Sequence, residues 1–349
     1  MRVGIQFFPD VGPEVKSARD YWQEALALVG LCDRYGYSHV RTVEHYFHPY
    51  GGYSPNPIVF LAAAAQLTRR ARLVTGAVLP AFNNPLKLAG ELAMLDALCD
   101  GRLDIGFARA FLPHEFARFG VKLDESRARF DEGVEQVRLL LEQENVTHEG
   151  RFHSFRGLTS LPRPTQRPRP PFYVAALATK ESFERAGTAG HGIMAIPMAG
   201  GAMAELINIY RDAWRRAGHT GKGVVMLAFH MFCHREQATA ERIAREPLNR
   251  YLRSLVGAAS DWMSGESSAD YPGYDKIIAM LSRDDFDSQV AKGAAWIGTP
   301  DRILDSVASY RDQIGDFEIA SLQVNFNDMS LADAEASMRL FGEEVLPRL

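Results

Sequence analysis

The sequence predicts a single α/β domain in which eight parallel strands alternate with helices and close into a barrel. Short apolar runs and longer amphipathic runs follow one another along the 349 residues, and this alternation is typical of a parallel sheet covered by helices. The count of eight units favours a closed (β/α)8 barrel, and the alternative is an open doubly wound sheet. No strand–helix turn contains the G-x-G-x-x-G segment of a Rossmann nucleotide site.

Each predicted strand is a short, mostly apolar run. The first begins almost at the N-terminus, and the second ends at Glu44. We predict the eight strands at residues 2–8, 37–44, 71–79, 101–107, 171–176, 192–196, 223–233 and 319–326.

The helices are longer segments with helical spacing of apolar residues. Gly36 ends the first helix, Pro57 lies near the first turn of the second, and Thr299-Pro300-Asp301 opens the eighth. We predict helices at residues 17–35, 57–68, 85–98, 126–143, 181–189, 203–217, 237–263, 299–314 and 331–346.

Two segments interrupt the alternation. Residues 145–170 contain short polar strand-like pieces and many prolines, which predicts an inserted hairpin and loop after the fourth unit. Residues 264–291 are rich in Gly, Ser, Asp and Tyr without clear periodicity, and we interpret them as a lid-like insertion before strand eight. The whole chain, 1–349, is expected to be one barrel domain, since such barrels often exceed 250 residues.

The composition excludes several classes of function. Hydrophobic residues make up 46% and charged residues 23%, as in an ordinary globular protein, and the net charge of −4 includes no block of Lys or Arg that would bind nucleic acid or an anionic membrane. The sequence contains no run of about 18 apolar residues without charge, so we expect neither a membrane span nor a signal peptide. The three cysteines are far apart, which predicts neither a disulfide nor a metal site and favours the cytoplasm.

Glu44 and His45 follow the second strand and should lie at the C-terminal mouth of the barrel, where such folds carry out chemistry. An imidazole titrates near neutral pH, so His45 is the leading catalytic candidate, and a structural histidine is the alternative. Glu44 could orient that imidazole or contact a ligand. It could also bind a backbone amide or Arg41.

Arg109 follows the fourth strand directly, and Arg127 begins the next helical region. Both guanidinium groups could hold one phosphate at the mouth. Either arginine could instead form a salt bridge with an acidic neighbour, namely Asp124, Glu125 or Asp131.

Two further strand ends could contact a ligand. The turn after strand five offers Ala178, the hydroxyl of Thr179 and Ser182 at a helix N-terminus whose amides attract anions, although a plain helix cap explains the same residues. Gly76 and Ala77, at the end of strand three, would allow a flat ring to approach the backbone, and a tight barrel corner is the alternative.

With these residues in place, the chain resembles the bacterial luciferase-like flavin monooxygenases, in particular the α subunit of luciferase. The resemblance runs nearly end to end. Its motifs are Glu44-His45, Asn56-Pro57, Val78-Leu79-Pro80, Asp100-Gly101-Arg102, Arg109, Phe119-Gly120, Ser126-Arg127, Gly298-Thr299-Pro300 and Met338-Arg339-Leu340-Phe341.

The resemblance implies a TIM barrel with reduced FMN bound at its C-terminal mouth. By position, Arg109 and Arg127 match phosphate-binding arginines and His45 matches a catalytic histidine. The Gly76-Ala77 region matches a flavin-contacting strand end that carries a cis peptide in the family.

The sequence also departs from luciferase. Ala108 replaces a reactive cysteine and Leu112 replaces a tyrosine on the substrate side. Ala178 replaces a phosphate-binding serine, so that Thr179 or Ser182 would have to compensate. These departures argue against light emission and leave monooxygenation intact.

The resemblance therefore implies a two-component monooxygenase. A separate flavin reductase would supply reduced FMN, and dioxygen would react at the flavin to form a 4a-peroxide that oxidises a small organic substrate. The alternatives are a deazaflavin-dependent oxidoreductase of the same superfamily and a non-catalytic flavin-binding subunit like luciferase β. The resemblance also implies a homodimer formed through helices early in the barrel.

Overall fold

Eight parallel strands close into a barrel in the computed structural model, which describes residues 1–349. In chain order the strands of the structure are β1 (Arg2–Phe7), β2 (His39–Thr42), β3 (Arg72–Thr75), β4 (Leu103–Phe107), β5 (Val146–Glu149), β6 (Ser154–Leu158), β7 (Phe172–Ala175), β8 (Gly192–Ala195), β9 (Val225–Cys233), β10 (Ala295–Gly298) and β11 (Ile319–Gln323). The barrel order is β1-β2-β3-β4-β7-β8-β9-β11, and β11 pairs with β1 to complete the ring. The predicted (β/α)8 fold is confirmed.

The strands lie where the sequence predicts them, although most are shorter. The sequence predicts that strand three reaches residue 79, but β3 ends at Thr75. The Gly76-Ala77 peptide that follows is cis, and Val78 forms an isolated bridge with Phe107. The sequence analysis missed β10, which pairs in parallel with the C-terminal half of β9 outside the ring of eight.

Helices fill the connections. They are α1 (Ala18–Val29), α2 (Cys32–Tyr35), α3 (Pro57–Leu67), α4 (Pro85–Leu98), α5 (Pro113–Phe119), α6 (Ser126–Glu142), α7 (Lys180–Thr188), α8 (Gly200–Arg216), α9 (Gln237–Ala258), α10 (Tyr274–Leu281), α11 (Phe286–Ala291), α12 (Pro300–Ile314) and α13 (Leu331–Glu344). The predicted helix 17–35 is divided near Gly30, and the predicted helix 237–263 ends at Ala258 before a 3-10 turn. None of the helices is both long and apolar enough to cross a membrane.

Both predicted insertions are present, but the second has more regular secondary structure than the sequence suggested. Strands β5 and β6 form the antiparallel hairpin expected within residues 145–170. Residues 264–291 are not aperiodic, as the sequence suggested, because they contain α10 and α11. The periodicity is hidden because the two helices are only 8 and 6 residues long.

The apolar core has two main parts. The larger one lies between the barrel and its helices. The smaller one, which we call the rim cluster, joins residues after the strands to the last turn of α9 and the segment that follows it. Its members include Phe8, Val43, Leu79, Ala110, Leu112, Phe116, Leu255, Trp262, Tyr271, Tyr274 and Ile278. Residues 255–281 therefore pack over the C-terminal mouth of the barrel.

A buried carboxyl group joins the loops that follow β1 and β11. The backbone N–H of Asn327 donates to Oδ1 of Asp10 at 2.7 Å, and its side-chain amide donates to Oδ2 at 3.1 Å. Burial raises the pKa of Asp10 from 3.8 to about 7 even though these hydrogen bonds oppose the shift.

The folding stability should fall as the pH rises through this range. Between about pH 4 and pH 7 the folded state retains a proton on Asp10 that the unfolded state has released, so deprotonation favours unfolding until the pH passes about 7. From pH 5.5 to 8 we expect a loss of roughly 2 kcal/mol from this group. Urea unfolding of Asp10→Asn should show a smaller pH dependence than the wild type, and equal slopes would contradict the assignment.

Candidate functional site

His45 stands just after β2 and is held by a residue that the sequence analysis missed. Its Nδ1 lies 3.1 Å from Oε1 of Glu115, a fully buried carboxylate on α5 that also accepts the backbone N–H of Tyr46 at 2.8 Å. The imidazole packs near the rings of Phe8 and Phe111, and its Nε2 makes no hydrogen bond within the chain. One ring nitrogen is therefore fixed and the other is left for a ligand.

The backbone opposite the histidine must be glycine. Gly51 has φ +82°, and a Cβ on it would lie 2.5 Å from Cβ of His45. A side chain there would be strained and would also displace the imidazole.

Glu44 does not orient the imidazole, contrary to one of our interpretations. Its carboxylate is buried and accepts hydrogen bonds from the Tyr46 hydroxyl at 2.5 Å, the Asn83 amide at 2.8 Å and the backbone N–H of Leu79 at 3.0 Å. The alternative of a backbone amide partner is the one observed. Burial raises the pKa of Glu44 to about 7, against the effect of the three donors.

The strand end beyond β3 has the geometry that the family resemblance implies. The Gly76-Ala77 peptide is cis, and the oxygen of Gly76 accepts a hydrogen bond from Nη2 of Arg41 at 2.9 Å. A Cβ on Gly76 would lie 1.9 Å from Nε of Arg41. Glycine is therefore required for the backbone to approach this guanidinium.

Arg109 and Arg127 approach the same acidic residue of the covering segment. Nη1 of Arg109 donates to the backbone oxygen of Asp270 at 2.8 Å, and its guanidinium lies 4.6 Å from the ring centre of Tyr271. The carboxylate of Asp270 accepts the backbone N–H of Arg127 at 2.9 Å and the Ser126 hydroxyl at 3.1 Å. The structure thus brings the two predicted arginines together beneath residues 264–291.

The salt-bridge partner of Arg127 is different from those we considered. Its guanidinium pairs with Glu181 at 3.0 Å, and not with Asp124, Glu125 or Asp131. Arg109 forms no ion pair. Because Glu181 lies in the first turn of α7, this pair brings Arg127 to the predicted helix N-terminus.

Thr179 precedes α7 without capping it. Its hydroxyl donates to Oγ of Ser182 at 2.6 Å, and no side chain caps the helix. Ala178 is only partly buried, as are Ala108, which follows β4, and Ala175 at the end of β7. Two arginines, a helix N-terminus without a side-chain cap and small residues along the rim are a set that fits a phosphate joined to a flat ring.

The sequence contained a signal for α5 that we did not use. Pro113 opens this helix and Gly120 ends it, as is common at helix termini. Placing that helix would have brought Glu115 into consideration, although its pairing with His45 depends on the tertiary fold. The contact of Asp270 with both arginines likewise has no local signal.

The family follows from a comparison of the whole chain. A family model described as luciferase-like monooxygenase matches residues 1–316. The chain belongs to the luciferase-like monooxygenase family. The resemblance noted in the sequence is thereby confirmed.

Three relatives of this luciferase-like chain cover nearly all of it. The monooxygenase RslO1 from Streptomyces bottropensis is 45% identical, with a TM-score of 0.90 over 100% of this chain and 99% of that one. The oxygenase component of the flavin-dependent trigonelline monooxygenase from Acinetobacter baylyi is 28% identical over 342 residues, 95% of this chain and 91% of the relative. The oxygenating constituent of 3,6-diketocamphane monooxygenase from Pseudomonas putida, solved with FMN, is 19% identical and has a TM-score of 0.82 over 100% and 99% of the two chains, which establishes the shared fold.

Proposed function

We propose that this protein is the oxygenase of a two-component flavin-dependent monooxygenase. It would take reduced FMN from a separate flavin reductase and use dioxygen to oxidise a small organic substrate. The observation that carries the proposal is the approach of Arg109, Arg127 and the start of α7 to one another on the barrel rim that also holds His45. Bound reduced flavin would supply the activation of dioxygen, which no amino-acid side chain provides.

The phosphate of FMN would be bound by the two arginines, with Thr179 and Ser182 as hydroxyl donors. The carboxylate of Asp270 already accepts donors at the start of α6, so this end of the site is built to hold an anionic group. Gly76 and Ala77 would lie against the flat ring, and the partly buried Ala178 leaves room beside them.

His45 would hold or move a proton beside the ring. Glu115 binds Nδ1 and so fixes the tautomer and the orientation of the imidazole. Nε2 would then exchange a proton with the substrate or the cofactor. Glu44 would act by position, because its hydrogen bond to Leu79 N–H ties the end of β2 to the backbone beyond Ala77.

The segment 264–291 would exclude water as a lid. Polar contacts hold it closed, among them the three hydrogen bonds of Asp270 and the hydrogen bond from the Tyr271 hydroxyl to the Ala110 oxygen at 2.8 Å. The indole of Trp262, just before the segment, donates to the Phe111 oxygen at 2.7 Å. Opening would break these contacts and expose the aromatic side of the rim cluster, which suits an apolar or aromatic substrate.

The function can be tested without knowing the substrate. Anaerobic protein loaded with reduced FMN is mixed with oxygenated buffer, and the return of oxidised flavin absorbance is followed together with release of hydrogen peroxide. We expect the protein to change the reoxidation rate from that of free FMN, and His45→Ala to change it again, because the proton held beside the ring is lost. His219→Ala, at the opposite end of the barrel, is the control.

Two results would contradict the proposed function, and a third would contradict the role of His45. Reoxidation at the rate of free FMN would favour a non-catalytic flavin-binding subunit. Binding of a reduced deazaflavin in preference to reduced FMN, in parallel anaerobic titrations, would favour the deazaflavin-dependent alternative. A rate unaffected by His45→Ala would remove His45 from the mechanism.

Arg109→Ala should weaken binding of reduced FMN by about 1.5–3 kcal/mol, since a charge-assisted hydrogen bond to the phosphate would be lost. Anaerobic fluorescence titration measures this loss. Riboflavin, which has no phosphate, should bind the variant and the wild type alike. Arg34→Ala, on α2 at the far end of the barrel, is the matched control, and wild-type FMN affinity in Arg109→Ala would refute the assignment.

We further propose a homodimer formed through α3 and α4. These adjacent helices expose four large apolar side chains, namely Val59, Leu67, Met94 and Leu98. Light scattering should give about twice the chain mass of 38.8 kDa, and Val59→Asp combined with Met94→Asp should shift it towards one chain, because a charge in an apolar interface is unfavourable. Met280 is an exposed methionine on α10, and Met280→Asp should leave the mass unchanged. A monomeric wild type would contradict the proposal.

A further inference from the structure

A row of four polar side chains crosses the inside of the barrel. Arg41 on β2, Gln6 on β1, Gln323 on β11 and His230 on β9 are successive neighbours in the strand register. The residues that alternate with them belong to the outer core, so these four face the lumen. We call them the lumen row. Their outward-facing neighbours are Val40, Ile5, Leu322 and Phe229.

Arg41 is a buried cation without a counter-charge. Arg41 is only 9% exposed. Its guanidinium donates to two neutral acceptors, the Gln6 amide oxygen at 2.6 Å and the Gly76 backbone oxygen at 2.9 Å. Nε has no partner, and Arg41 takes part in no salt bridge. Burial lowers the pKa of Arg41 to about 10, which still leaves it protonated at neutral pH. Such a charge is costly unless an anion approaches it.

Two other members of the row also have unsatisfied atoms. The amide of Gln323 donates to the Phe8 oxygen at 3.1 Å, which fixes its orientation and leaves Oε1 as a buried acceptor without a donor. Nε2 of His230 is buried without a partner, and burial lowers the pKa of this histidine to about 3, so it is neutral. The row therefore offers a charged donor at Arg41 and an acceptor at Gln323 to one ligand.

The space beside the row suits a flat group. Below it, five apolar side chains close the lumen, namely Val74, Tyr173, Met194, Met226 and Ile319. Across the lumen stand the small residues Ala108 and Ala175, both partly exposed. Arg41 contacts the oxygen of Gly76, so the row adjoins the strand end at which we placed the flat ring.

We propose that the lumen row binds the pyrimidine edge of the flavin, with Arg41 facing the N1 and C2 carbonyl positions and Oε1 of Gln323 accepting from N3–H. This inference rests on the proposed function and extends it to the end of the ring remote from the phosphate. The pyrimidine edge carries an acceptor, an N–H donor and an acceptor, and near neutral pH reduced flavin concentrates negative charge at N1 and the C2 oxygen. The dimethylbenzene end carries no polar atom and would leave Arg41 without a counter-charge. A positive charge at this edge favours the reduced cofactor over the oxidised one.

The first experiment compares the affinities for the two redox states. Reduced FMN, under anaerobic conditions, and oxidised FMN are titrated against the wild type and Arg41→Met. The variant should lose about tenfold more affinity for reduced than for oxidised FMN, because the charge at N1 exists only in the reduced state. Arg109→Met, at the phosphate, should weaken both states by a similar factor and is the matched control.

The second experiment does not depend on the fold tolerating a change at Arg41. Gln323→Leu removes the buried acceptor and replaces the amide with an apolar side chain of similar size. The wild type should bind FMN at least about tenfold more tightly than N3-methyl-FMN, which cannot donate a hydrogen bond from N3. Gln323→Leu should lose most of that difference in affinity. Thermal unfolding of each variant checks that the fold is kept.

The outcomes separate the two proposals. If the wild type binds neither state of FMN, the proposed function fails. If it binds FMN, but Arg41→Met weakens both states equally and Gln323→Leu still rejects N3-methyl-FMN, only the assignment of the lumen row is overturned. The assignment is also overturned if Arg41→Met leaves FMN binding unchanged and instead abolishes a spectral shift of 4-nitrophenolate, because the row would then belong to an anionic substrate.

Discussion

The common direction of the barrel strands is the constraint on which the site depends. Because β8 pairs with β9 and all eight strands are parallel, the residues that follow β2, β3, β4 and β7 emerge on one rim. His45, Ala77, Arg109 and Thr179 meet there although they are far apart in the chain. A shift of one residue in the register of any of these strands would turn its side chains to the other face. Sheet closure therefore determines which residues can share a ligand.

Two buried glutamates hold different parts of this rim in place. Glu44 joins neighbouring strand ends through backbone and side-chain donors, whereas Glu115 reaches from α5 to hold His45. Neither faces bulk solvent. The hydrogen bonds that converge on them offset only part of the cost of burial, because burial still raises the pKa of Glu44 and Oε2 of Glu115 has no partner. The imidazole is thus held in place by Glu115 before a ligand arrives, and in the proposed function the covering segment would complete the exclusion of water.

The sequence predicted the fold well because its signals are local and periodic. Helix α4 was predicted with both of its boundaries, and Asn84 and Pro85 supply a capping side chain and a favourable first residue. Strand β10 was missed because its four residues lie outside the alternation of strands and helices. The partner of His45 was misjudged for a different reason. Adjacent side chains of an extended segment point to opposite sides, so Glu44 is poorly placed to reach the imidazole, while Glu115 arrives from 70 positions away.

The lumen row could not be read from the sequence, because Gln6, Arg41, His230 and Gln323 become neighbours only when β11 joins β1 to β9. The lumen row also differs from the rest of the molecule in how its charged side chain is paired. Many other arginines form ion pairs, such as Arg72 with the buried carboxylate of Asp104, whereas Arg41 is buried beside neutral groups. Polar atoms left unsatisfied in an otherwise well-packed interior destabilise the free protein, and a ligand that satisfied them would recover that free energy on binding. On our proposal, the lumen row lowers the stability of the free protein and contributes to ligand recognition, a combination that is typical of functional sites.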